Sequence, residues 1–174
     1  MTTESQILSE LLGGTNARPY ANPQRSSPSS VYDVQYRTFV IAACLRTIGR
    51  PEGNFRKIAS NKLRLLQFVA MRPWLVGMVE NWSATRKDAQ QSLQSSQSLR
   101  RGFISDGMHD SIIDYLVAAG LLYKQKGQIA EKLQESGLDS IFDEAVKAGL
   151  FTTEQETIRS LSEIVITNDM LEGW

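Results

Sequence analysis

Few side chains in this sequence have the type and spacing to do chemistry. His109 is the only histidine and Cys44 the only cysteine, so neither a histidine-based metal site nor a Cys/His nucleophilic pair with the usual spacing is easily assembled. Cys44 lies in the apolar run VIAACL and reads as a small buried hydrophobe with no partner for an intrachain disulfide. His109 falls in the first turn of a helix, where an exposed or capping role is expected. Asp110 and Asp114 share a helix face, as do Asp139 and Asp143. Either pair could approach a divalent cation, but neither has a third ligand nearby in sequence. No phosphate-cradling G-x-x-x-x-G-K-[ST] occurs. The expectation is a chain that is not an enzyme, with no metal and no cofactor.

Charge placement offers more. Asp106, Asp110 and Asp114 follow one another at i, i+4 and i+8, opposite an apolar face, with no Lys or Arg through Ala119. An outward acidic stripe would repel phosphates and suits a basic protein surface better. Cations that could touch a nucleic-acid backbone are Arg86, Lys87, Arg100 and Arg101, which bracket a Gln/Ser-rich stretch, together with Lys124 and Lys126. A solvated role without a partner fits the same residues.

The segment that must position these groups is MHDSIIDYLVAAGLLYKQKGQIAEKL, Met108 to Leu133. Ile112, Ile113, Leu116, Val117 and Ala119 follow a helical period. Gly120 suits a C-cap with positive φ. Leu121–Tyr123 and Ile129–Leu133 then flank Lys126-Gly127, a two-residue turn with glycine second, which signals a hairpin. Helix, cap, strand, turn, strand predicts a mainly α, winged-helix-like helical domain with a small β-hairpin wing. Phe103-Ile104 is expected as its third strand, and Asp106 as the cap of its helix.

The rest of the chain supplies the setting. Residues 1–30 read as a flexible arm rich in Gly, Pro and Ser, with an amphipathic segment around Ile7, Leu8, Leu11 and Leu12 that docks on a partner or folds back. The domain proper spans 31–166: a helical first half at 31–86, a polar connector at 87–101 that is either a helix or a linker, and a helix-hairpin-helix at 102–166. In the first half a helix covers Val31–Ile48 with Val34 on its apolar face. Arg50–Asn54 is a loop, and Ser60 or Asn61 caps a helix over Lys62–Met71. Pro73 opens another helix, on which Trp74 and Trp82 pack. Beyond the hairpin, Leu138–Ala148 forms a helix with Ile141, Phe142, Ala145 and Val146 inward. A capping box at Thr153–Glu156 starts the last helix, with Ile158, Leu161, Ile164 and Val165 inward. The tail 167–174 exposes Met170, Leu171 and Trp174. No internal repeat is visible.

At 174 residues, 41% hydrophobic and 22% charged, the chain has an ordinary globular composition. No run approaches the length of a membrane helix, no secretory leader is expected, and a reducing cytoplasmic setting follows. The net charge of zero conceals a division. Residues 1–101 hold 14 Lys/Arg against 6 Asp/Glu, and residues 102–174 hold 5 against 13. Such a split makes either two lobes that attract each other within one molecule or two faces for different partners.

The polar arm, the long first helix, NKLRLLQFVAMRPWLV, and DSIIDYLVAAGLLYKQKGQIAEKL with its following helix together resemble one family over Val31 to Ile166. These are the middle components of bacterial three-component ABC-ATPase systems, including the accessory subunit of Lamassu-type anti-phage defence. The resemblance implies a winged-helix accessory subunit like those of condensin-like complexes. It would be partnered by an SMC-like ABC ATPase that senses DNA and by a nuclease effector. It carries no catalytic motif. Leu8, Leu11 and Trp174, with Asp106, Asp110 and Asp114, are the candidate partner contacts. Competing expectations are a winged-helix transcriptional regulator and an antitoxin-like or adaptor module.

Overall fold

A computed structural model describes residues 34–85, 96–97, 99–104, 106–133 and 137–171. The chain is mainly helical, with a small four-stranded antiparallel sheet of order β1-β2-β4-β3. Helix α1 (Val34–Ile48) is followed by β1 (Arg50–Glu52), β2 (Phe55–Ala59) and α2 (Ser60–Ala70). A 3₁₀ turn at Pro73–Leu75 leads into α3 (Val76–Ala84). Residues 99–104 are helical, and α4 (Met108–Ala118), β3 (Tyr123–Gln125), β4 (Gln128–Lys132), α5 (Gly137–Lys147) and α6 (Thr152–Glu163) complete the fold.

Every residue of α1 from Tyr36 to Leu45 is buried. A helix so nearly apolar all round must be enclosed, and α1 packs against α2, α5 and α6. Phe39 stacks on Phe142 of α5 at 5.7 Å and meets Phe151 at 4.6 Å. Gly49 ends α1 where only glycine fits, because a Cβ there would come within 2.3 Å of the Leu45 carbonyl oxygen.

The segment centred on α4 folds as its pattern predicts. Ile112, Ile113 and Leu116 are buried, Gly120 has φ +75°, and Lys126-Gly127 turns the hairpin with φ of 47° and 77°. Positive φ at both turn residues matches the twist of the flanking strands.

The strand beside this hairpin is not Phe103-Ile104. Those residues are helical, and Leu99 and Phe103, one turn apart, are both buried. The neighbouring strand is β2, so the expected loop Arg50–Asn54 belongs instead to a second hairpin whose turn carries Gly53 at φ +61°. The backbone thus holds a repeat that the sequence does not display. A shift of 73 residues carries Arg50–Glu52 onto Tyr123–Gln125 and Phe55–Ala59 onto Gln128–Lys132, with strand pairing preserved. The hairpins join through β2 and β4 about a local two-fold axis at the Lys57–Ala130 pair. The same axis relates two bonds that extend the ladder, Ser60 N–H to the Gly127 carbonyl and Leu133 N–H to the Asn54 carbonyl, at 2.9 and 3.0 Å.

In each hairpin the residues flanking the turn are hydrogen-bonded partners, so the residue before them turns its backbone outward. That residue is Pro51 on one edge of the sheet and Lys124 on the other.

Several capping expectations fail for reasons visible in the structure. No side chain caps α2, because the N-cap position is Ala59, which has no side-chain acceptor, and Ser60 and Asn61 already lie within the first turn. Asp106 does not cap α4, which starts after Gly107, because its carboxylate is bonded elsewhere. The Thr153–Glu156 box does not form either. Phe151 precedes α6 in the left-handed conformation with its ring against Tyr36 and Phe39, and Glu154 accepts a bond from the Tyr36 hydroxyl at 2.7 Å.

Four expected inward positions also turn out. Val34, Val146, Val165 and Trp74 are exposed, Trp74 by 68%, while Trp82 is buried. In the tail, Leu171 is buried within a short 3₁₀ turn and Met170 is partly buried against the core. No helix among the described residues is long and apolar enough to cross a membrane.

Candidate interaction surface

The charge division of the sequence closes on itself in space. Arg37 pairs with Asp106, Arg46 with Asp139 and Asp143, Arg56 with Glu131 and Asp139, and Arg64 with Asp110. Each of these pairs joins a cation of the first half to an acid of the second. Of the two readings open from sequence, attraction within one molecule accounts for these groups.

The expected acidic stripe breaks at its first member. Asp106 is buried, and its two carboxylate oxygens lie 2.9 and 3.0 Å from Nη1 of Arg37, itself 1% exposed. It precedes the helix, so the i, i+4 spacing never put it on the face of Asp110 and Asp114. Those two are on α4 and exposed. Asp110 accepts from Arg64 at 3.3 Å, and Asp114 accepts from Lys124.

His109, expected at the surface, is 1% exposed. Its ring faces α2, where Nδ1–H donates to Oε1 of Gln67, also fully buried. Burial first, with the nearby Arg64 and Arg37 charges, lowers its pKa to about 4 against the opposite pull of Asp110 and Asp106, so the imidazole is neutral at pH 7. Arg64 lies over the Phe103 ring at 4.7 Å and donates to the Asp106 carbonyl at 3.2 Å. A polar layer made of Arg37, Arg64, Gln67, Asp106 and His109 therefore fixes α4 to α1 and α2. Within it Arg64 Nε, Gln67 Nε2 and His109 Nε2 have no hydrogen-bond partner among the described residues.

The layer left one trace in the sequence. Arg37 sits inside a run otherwise apolar enough to be enclosed, and an enclosed guanidinium requires a carboxylate. Nothing local says which one.

Cys44 is buried as expected, and burial pushes its thiol pKa up, away from reactivity. Among the described residues no three His, Cys, Asp or Glu side chains gather in a way that could hold a metal ion.

The outward face of α4 consists of Asp110, Ser111, Asp114, Tyr115 and Ala118. Tyr115 is 46% exposed. Lys124 is drawn back onto Asp114, which leaves Lys126 exposed at the tip of the hairpin. Arg100 and Arg101 are exposed on the helical stretch before α4. Leu8, Leu11, Arg86, Lys87 and Trp174 lie outside the described residues.

Compared with protein-family models, with characterised proteins and with solved structures, the chain finds no match.

Proposed function

We propose that this protein is a non-catalytic accessory subunit that works by contacting other proteins, with the outward face of α4 as one contact. The observation that carries this reading is the chemistry of that face. The helix a winged-helix protein would lay in the major groove presents two carboxylates, a serine and a tyrosine, and no cation. Lys124, the nearest wing cation, is held by Asp114. Direct readout of bases calls for Arg, Lys, Asn or Gln at such positions, and carboxylates facing phosphates are repelled. An exposed tyrosine rimmed by acids suits a basic protein surface.

The family resemblance narrows the proposal to a cytoplasmic anti-phage defence complex in which the subunit bridges an SMC-like ABC ATPase and a nuclease effector. Co-expression with the products of the adjacent genes tests it. A stable complex containing a coiled-coil ATPase, lost when Asp110 and Asp114 are both changed to Lys, is the expected result. A lone monomer that ignores those products overturns it. The regulator reading rests on exposed Arg100, Arg101 and Lys126. It requires sequence-preferring binding to a short duplex that weakens with salt.

A further inference from the structure

The sheet has two unlike faces. Cross-strand partners project to the same side, so the register places Ile58 and Ile129, Arg56 and Glu131, and Lys124 on one face. The helices lie on that side. Arg56 reaches Asp139 of α5, Lys124 reaches Asp114 of α4, and Ile58 and Ile129 join the core.

The other face carries Arg50, Lys57 and Lys132, with Phe55 and Tyr123 between them. Gln125 and Gln128 complete one end, and both are exposed. Phe55 and Tyr123 meet edge to face at 5.6 Å, Lys132 lies 5.9 Å from the Tyr123 ring, and Lys57 pairs with Glu52 at 3.1 Å. Among the described strand residues Glu52 is the only acid on it, against three cations.

Positive charge is also crowded at the β1 margin. Burial first, then the neighbouring Arg50 guanidinium, holds the Lys62 ammonium below its ordinary pKa. Arg37, Arg46, Arg56 and Arg64 are each neutralised by second-half acids, whereas Arg50 makes no ion pair among the described residues.

We propose that this sheet face binds single-stranded nucleic acid. Arg50 and Lys132 would follow the phosphates, and the half-buried Tyr123 and Phe55 rings would offer a surface for unpaired bases, while Lys57, held by Glu52, adds to the positive field. Cations interleaved with rings across an antiparallel sheet fit a flexible strand, whose bases can splay onto the rings. A duplex keeps its bases stacked inside and offers this face only phosphates. An acidic peptide would use the cations but has no need of the rings. The proposal does not depend on the α4 surface, which lies on the other side of the sheet.

The test is fluorescence anisotropy with the full chain and a labelled oligothymidylate of about 20 nucleotides, long enough for sites of this kind. Binding at low salt that weakens as salt rises is expected. R50E/K132E, which alters two exposed side chains, should lower affinity about tenfold or more, because two phosphate contacts become repulsive. Tyr123→Leu should lower it at least about fivefold, in line with loss of one stacked base, with the circular dichroism spectrum unchanged. If Tyr123→Leu does not fold, the charge-reversed variant carries the test alone. Absence of binding at low salt overturns the proposal, as does undiminished binding by R50E/K132E. Equal competition by duplex DNA or polyglutamate overturns it too, since the face would then be a general polyanion surface.

Discussion

Arg37 and Asp106 form a buried ion pair at 2.9 Å that joins the centre of the fold to the turn ahead of α4. Arg37 stands in the most enclosed helix of the chain, and Asp106 is 69 residues away. Neither charge has bulk water to fall back on, so removing one partner strands the other. Arg37→Met or Asp106→Leu alone should cost about 3–5 kcal/mol. The double variant R37M/D106L should recover much of that loss. Urea denaturation of the four proteins checks this, and additive losses would mean that the pair is not coupled.

His109 should make stability depend on pH. Its folded pKa of about 4 lies below the ordinary 6.5, so between those values the unfolded chain binds the proton more readily. The contribution of the neutral buried ring is complete above about pH 6.5, declines as pH falls toward 4, and changes no further below that. From pH 7.5 to 5 this group alone should remove about 2 kcal/mol. A Q67L/H109L variant, which takes out both members of the buried pair, should flatten the profile over that interval in denaturation series at each pH.

Leu116 is fully buried on the inner face of α4. Leu116→Asp should unfold the domain, because an unpaired carboxylate there would lose its hydration without any cation to replace it. Loss of the helical circular dichroism signal is the expected readout.

Asp110 and Asp114 should behave oppositely. Their side chains are 65% and 66% exposed, and surface pairs of this kind are worth about 1 kcal/mol or less each. D110K/D114K should therefore keep a cooperative unfolding transition while weakening a basic protein partner. A collapse of the fold would show that α4 depends on those acids for its position.

Lys126 holds φ at 47° in the hairpin turn, a conformation that costs most L-residues free energy and that asparagine tolerates best. Lys126→Asn should raise stability by about 0.5 kcal/mol. Thermal melts would detect a gain of that size, and no gain would mean that the lysine side chain stabilises the turn in some other way.

What the sequence made legible was local. The apolar period of Ile112, Ile113 and Leu116, the stop at Gly120 and the Lys126-Gly127 turn each depend on neighbours within a few residues. The first hairpin was harder to see because Pro51, Gly53 and Asn54 carry the signals of a loop. The strands there gain their order from β4, more than seventy residues later. The related hairpins share no residue type at any of their ten aligned positions from Arg50 to Ala59 and Tyr123 to Lys132, so composition could not reveal the repeat. Asp106 and His109 were misplaced for a similar reason. Helical spacing says which residues share a face, but the partners that bury them come from α1 and α2.

The outer positions of the two hairpins bear on how the molecule can assemble. At one border Pro51 has no N–H to offer an incoming strand, and at the equivalent place on the other border stands Lys124, whose charge discourages a neighbour. Both borders therefore carry features that disfavour edge-to-edge addition of a fifth strand from a sister copy. A partner is then expected to meet the faces of the molecule and not the margins of its sheet.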